Sequence, residues 1–394
     1  MQEPEEFVAL RDAFAQRTGT QAEDWHLVFK ARYGMREAFS ALREIHGDGE
    51  VVTTLFTGCT AVDSIIAAGL TPRYATINPA TLGMDAGELA VGPKTRAVLF
   101  QHSYGMIDEA ASRAAAAKAH EFGALFVEDS AHCLARMARH EDGSPVADVS
   151  IHSFGIEKTF SNLYFGGALW VNPQMADEAA HEAVVRALTS VEPLPKRLDR
   201  ATQHYHTHVR ILSHLPAQIR EPLRERMIKS GSFEPPVADV ERLGGLPYDS
   251  YAPSAWIVRQ ILEMFVTLDE DEPRRVACAN RYRELLADWR ADLVPEAAFS
   301  TASDQPLIRF PLVLPTEELS FEVRKTLLQA GHYAVDWYRM PFYPGSLDVT
   351  RYGVTQHEVD EYRAKYAGTI GLPADMDPSQ VDDCVRAVCA SMGA

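Results

Sequence analysis

Short apolar or β-branched runs recur through the first half of the chain with helix-length stretches between the earlier ones, and this alternation constrains the fold more than any other feature. The runs are EVVTTLF (50–56), RYATIN (73–78), RAVLFQHS (96–103), ALFVED (124–129), DVSIHSF (148–154) and GALWVN (167–172). CTAVDSIIAAGL (59–70) and DEAASRAAAAKAHEFG (108–123) read as helices, the second opening on acids and closing at Gly123. Strands separated by such helices imply crossover connections, hence an α/β fold with a mainly parallel sheet. Ligands of open sheets of this kind sit beyond the C-terminal strand ends. His102 and Ser103, Glu128 and Asp129, and Ser153 close their runs at those ends.

From 174 to 250 the pattern becomes charged and helical and reads as an inserted segment, including ATQHYHTHVRILSHLPAQIREPLRERMIKSG. SAWIVRQILEMFVTL and EPRRVACANRYRELLADWR are helix-length, and PLIRFPLVLP, FEVRKTLLQAG and a last helix from Pro378 read as a smaller α+β unit. With 394 residues, 46% hydrophobic and 24% charged, two domains are expected: a large one over 1–250 and a small one over 251–394.

Several classes of function fall away. Net charge is 38 − 55 = −17 and no Lys/Arg cluster stands out from it, so nucleic acid is not an expected partner. The acidic start MQEPEEFVAL lacks a basic region followed by an apolar run, and no stretch reaches the roughly 18 apolar residues of a membrane span. A soluble, cytoplasmic protein is the expectation. The five cysteines, at 59, 133, 278, 384 and 389, form no CxxC pair. His204, His206, His208 and His214 have no acid or cysteine ligand at a known spacing, so no metal is expected.

The strongest chemical signal is an ordered series: VEDSAH (127–132), HSFGIEKTF (152–160) and the glycine pair 166–167. An acid at the end of a buried strand can keep a pyridine nitrogen protonated, which makes pyridoxal phosphate an electron sink. Asp129 is the candidate. Lys158 follows the next strand, so strand, crossover and strand can bring both groups to one sheet edge, where a desolvated amine could hold the cofactor as a Schiff base.

These blocks resemble the DegT/DnrJ/EryC1/StrS aminotransferases. EVVTTLFTGCTAVDSIIAAGLTPRYATINPATLGMD, TRAVLFQHSYGMIDEA, HEFGALFVEDSAHCLA, GSPVADVSIHSFGIEKTFSNLYFGGALW and, near the end, GHYAVDWYRMPFYPG and GTIGLPADMDPSQVDDCVRAV are similar to successive family segments. The resemblance implies the pyridoxal-phosphate-dependent transferase fold type I, like aspartate aminotransferase, with the cofactor in the large domain. It implies Lys158 as the Schiff-base lysine, Asp129 as the pyridinium partner, His132 beside the ring and its phenolic oxygen, Ser153 at the phosphate and Thr57 close by. Gly166 and Gly167 would let backbone approach the site.

Three positions depart from the family pattern. Where the family has Ser-Gly-Thr opening a helix beneath the phosphate, this chain has RYGMREAF, so Gly34 and Met35 are expected to offer amides, with Arg32 or Arg36 supplying charge. The aromatic residue after the threonine is Gly58, leaving ring stacking to Phe56, His132 or another side chain, and the acid before the glycine pair is Phe165. The implied activity is transfer of an amino group from glutamate or glutamine to a keto sugar, nucleotide-linked, or a keto-cyclitol, by a homodimer. A dehydratase of the same family, which carries histidine in place of the lysine, and a non-catalytic regulator are the alternatives.

Overall fold

The computed structural model describes residues 3–160, 162–300 and 304–393. Seven strands, Trp25–Val28 (β1), Glu50–Thr53 (β2), Thr71–Tyr74 (β3), Thr95–Gln101 (β4), Leu125–Asp129 (β5), Val149–Ser153 (β6) and Gly167–Val171 (β7), form one sheet in the order β3-β2-β4-β5-β6-β7-β1. β3, β2, β4, β5 and β6 run parallel; β7 is antiparallel to both β6 and β1. The mainly parallel sheet follows the sequence pattern, whereas β1, a four-residue run, was not anticipated.

Helices Glu5–Thr18 (α1), Ala31–His46 (α2), Cys59–Ala67 (α3) and Glu109–His120 (α4) flank or link the early strands. α2 buries Ala31, Met35, Ala38, Phe39 and Leu42, a helical spacing that makes one apolar face, and its chain turns at Gly47. α4 starts where the Asp108 carboxylate accepts the Ala111 N–H. The connection from β5 to β6 carries no helix.

Strand parity sorts the side chains. Leu125, Val127, Val149 and Ile151 share a core with α2 and α3, while Phe126 packs with Ala115, Ala116 and Ala119 of α4 on the opposite face. Asp129 and Ser153 follow the first set, so they end their strands on the α2 side. A one-residue slip would move Leu125 and Val127 out of the α2 core to the face packed against α4 and turn Asp129 the same way. In the observed register Gln101 lies opposite Asp129, Asp129 opposite Ile151, and Ser153 opposite Gly167.

The segment expected as one insertion divides. Glu178–Thr189 (α5) contributes Ala180, Ala183, Val184 and Leu188 to the core it shares with α2. Lys196–Gln203 (α6), Tyr205–Ser213 (α7) and Ala217–Ser230 (α8) lie outside that layer, with Tyr205 and Phe233 packed near Phe165. Further on, the antiparallel pair Arg309–Val313 (β8) and Thr369–Pro373 (β9) shares a core with helices Leu268–Arg290, Glu317–Gln329 and Val381–Ser391. That core also takes in Phe56 and Tyr104. Among the described residues, no helix is long and apolar enough to cross a membrane.

Candidate active site

A cavity of about 380 Å³ opens beyond the C-terminal ends of β5 and β6, within the range of small-molecule sites. Lys158, Asp129, His132, Ser153, Arg32 and Trp337 contribute to its lining. Four residues separate Ser153 from Lys158, and the intervening turn is tight: Glu157 has φ 61, and the Lys158 N–H donates to the Gly155 carbonyl at 3.3 Å. The lysine is thereby returned over the sheet edge to face the end of β5.

Asp129 is buried, and its Oδ1 accepts the Ala131 N–H at 3.0 Å. Burial pushes this carboxyl above its ordinary range, with the Lys158 charge and the Ala131 N–H opposing. Burial likewise pulls Lys158 below the ordinary lysine range; the charges of Asp129 and Glu157 oppose this and Arg32 adds to it. His132 Nε2 lies 3.0 Å from Lys158 Nζ and 3.3 Å from the Tyr338 hydroxyl, while Nδ1 accepts the Tyr104 N–H at 3.2 Å. Burial holds this imidazole well below its usual value, and the positive charges of Lys158 and Arg309 act in the same direction. The Trp337 ring stacks on His132 with centroids 4.6 Å apart.

The start of α2 forms another wall, and here the sequence reading needs correction. The helix begins at Ala31, so the amides free of an intrahelical partner belong to its first turn, before Gly34. Gly34 serves packing: a Cβ there would lie 2.4 Å from Leu169 Cδ1. Met35 meets the cavity wall while also packing in the sheet core. Arg36 donates to Glu37 and Ser250 instead of facing the cavity. Arg32 does line it, but its Nη1 donates to Glu241 at 2.5 Å and its Nη2 to the Pro236 carbonyl at 3.0 Å. Gly167 lets this helix start approach the sheet, since a Cβ would sit 2.5 Å from the Ala31 nitrogen.

Ser153 Oγ lines the cavity and accepts the Gly155 N–H at 3.2 Å. Thr57 stands one layer back, its hydroxyl donating to Gln101 at 2.8 Å. Phe56 points into the core, edge-on to Tyr338 at 4.9 Å, and does not form the cavity wall. Phe165 does, stacked on Phe29.

Sequence reasoning overlooked Lys30, which is buried at the cavity wall and ion-paired with Glu234. It also missed Glu157, whose carboxylate accepts from the Tyr333 hydroxyl at 2.8 Å and the Trp337 indole at 3.3 Å. The available signal for Lys30 was its place directly after a short apolar run and before an amphipathic helix.

Residues 28–207 match the model of the DegT/DnrJ/EryC1/StrS aminotransferase family. This stretch of the chain is similar to that family. A pleiotropic regulatory protein of Geobacillus stearothermophilus is 30% identical to the chain over 146 residues, 36% of this chain and 38% of the relative. A dTDP-4-amino-4,6-dideoxy-D-glucose transaminase of Shigella dysenteriae is 30% identical over 143 residues, 35% of this chain and 38% of the relative. The chain thus spans well under half the length of these curated relatives. Its fold is shared with the aminotransferase TlmJ from Streptoalloteichus hindustanus (TM-score 0.65, 22% identity, 99% of this chain and 92% of that one). It is shared also with NtdA from Bacillus subtilis, solved with bound cofactor PMP (TM-score 0.65, 14% identity, 100% and 78%). This is the fold type I architecture of pyridoxal-phosphate-dependent aminotransferases.

Proposed function

We propose that this protein is a divergent DegT/DnrJ/EryC1/StrS family member, a pyridoxal 5'-phosphate-dependent aminotransferase that moves an amino group from an amino acid, glutamate or glutamine, to a keto sugar, nucleotide-linked, or a related keto-cyclitol. The observation that carries the reading is the pairing of Lys158 and Asp129 across one cavity, an amine drawn towards its free base and a buried carboxyl facing the same space. The donor set fits the cofactor: a carboxyl raised by burial is relieved by a cation, which a protonated pyridine nitrogen provides.

Pyridoxal 5'-phosphate, when bound, supplies an aldehyde and a ring that accepts electrons from a substrate carbon. Lys158 would hold it through Nζ and, once released by the amino donor, carry a proton at that nitrogen. The Asp129 carboxylate would keep the ring nitrogen protonated. His132 would present Nε2–H to the ring oxygen, while Ser153 and the first-turn amides of α2 would take the phosphate. Trp337 and Phe165 limit water at the reacting end.

The reading includes a homodimer, which rests on the family resemblance, and a cytoplasmic location and a division into domains near residue 250, which rest on the sequence pattern. A non-catalytic regulator is the second reading, favoured by the printed name of the Geobacillus relative. Purified protein tests the choice. Yellow colour that bleaches on adding glutamate or glutamine, and returns with a keto acceptor, supports amino transfer; colour unaffected by any amino donor supports the regulator.

A further inference from the structure

A backbone amide can only donate, and the Tyr104 N–H is aimed at His132 Nδ1, so that nitrogen carries a lone pair. The single proton of the ring therefore sits on Nε2. Nε2 in turn faces Lys158 Nζ at 3.0 Å. With Nε2 protonated, Nζ must supply a lone pair to complete the hydrogen bond, and an ammonium has none. We infer that His132 is a positioning residue that holds Lys158 as the free amine, by donating Nε2–H to Nζ, before any carbonyl partner arrives.

The local backbone is built for this. Tyr104 has φ 58, and Gly105 follows with φ 92 at a place where a Cβ would lie 2.9 Å from the His132 carbonyl oxygen. The turn that presents the Tyr104 N–H therefore requires glycine next in the chain. The charges around Nζ do not all agree. Asp129 on β5 and Glu157 on the lysine's own turn favour the ammonium, as does the Trp337 ring face 5.4 Å away. Arg32 on α2 and burial favour the amine. Arg309 on β8 resists any second proton on His132, and the Tyr338 hydroxyl competes for the Nε2 proton from 3.3 Å. The hydrogen-bond geometry decides between these opposing influences.

The inference deepens the proposed function, since attack on an aldehyde consumes an amine lone pair, and it rests on that reading only for its purpose. Its test uses full-length protein stripped of cofactor. Brief acetic anhydride pulses from about pH 6 to about pH 11 span the ordinary range of histidine and lysine, and peptide mass spectrometry gives the rate at each lysine. Lys158 should begin to label at least about one pH unit below exposed Lys229. His132→Leu should slow Lys158 labelling near neutrality roughly tenfold, the size of one neutral hydrogen bond, and His132→Gln, whose amide can donate, should restore it. At the top of the range all variants should label alike, which separates protonation from access. Lys158 titrating together with Lys229, or a Leu variant indistinguishable from wild type, overturns the inference. Protein that passes this test yet binds no cofactor would defeat the proposed function alone.

Discussion

Two lysines line the same cavity, and burial pulls both below the ordinary lysine range. Lys30 meets a carboxylate: Glu234, which also accepts the Tyr248 hydroxyl at 2.6 Å, forms an ion pair with it among the rings of Phe29, Phe165 and Tyr248. Lys158 meets an imidazole N–H. The first arrangement neutralises a charge and ties the 234–248 segment to the start of α2; the second keeps Nζ a neutral amine whose lone pair is held by an N–H that a carbonyl partner can displace. Residue type and cavity are shared, so the partner decides which amine is structural and which can react.

The largest effect expected from this contrast is at Lys158. Lys158→Ala should remove the yellow colour of cofactor-saturated protein and lower amino transfer by at least about a thousandfold, measured by absorbance and donor turnover, with stability little changed. Lys30→Ala should do the reverse. It leaves Glu234 buried without its cation, a loss of about 3–5 kcal/mol in a denaturant melt, while colour persists in the folded fraction. Colour lost in a stably folded Lys30→Ala protein would break the comparison.

Smaller effects sharpen it. Asp129→Asn should retain colour but slow donor turnover by about a hundredfold or more, because a neutral amide cannot hold the ring nitrogen protonated. Ser153→Ala should weaken cofactor binding about tenfold in a fluorescence titration, the scale of one charge-assisted hydrogen bond, with no change in melting temperature. An unchanged dissociation constant would remove Ser153 from the phosphate end.

The sequence made the chemistry of the sheet edge readable because strand parity is strict: once Val127 and Ile151 are assigned inwards, Asp129 and Ser153 must follow on the same face. Lys158 was readable from its distance beyond β6. The helix start was not. Lys30 adopts an extended N-cap without a side-chain capping bond, so no Ser, Thr, Asp or Asn marks the boundary, and the Gly34 that suggested an anion loop proves to be where α2 packs on Leu169. Lys30 and Arg32 find their partners, Glu234 and Glu241, some two hundred positions along the chain. No local pattern encodes such pairing. Glu157 gave no signal either, since its turn conformation and its contacts with Tyr333 and Trp337 arise only when the distant aromatic loop is in place.

Reduction with borohydride tests the central claim most directly. Protein saturated with pyridoxal 5'-phosphate, reduced, digested and mapped by mass spectrometry should carry the phosphopyridoxyl mass on the peptide containing Lys158 and leave Lys30 unmodified. A label on Lys30, or none on Lys158, would contradict the account.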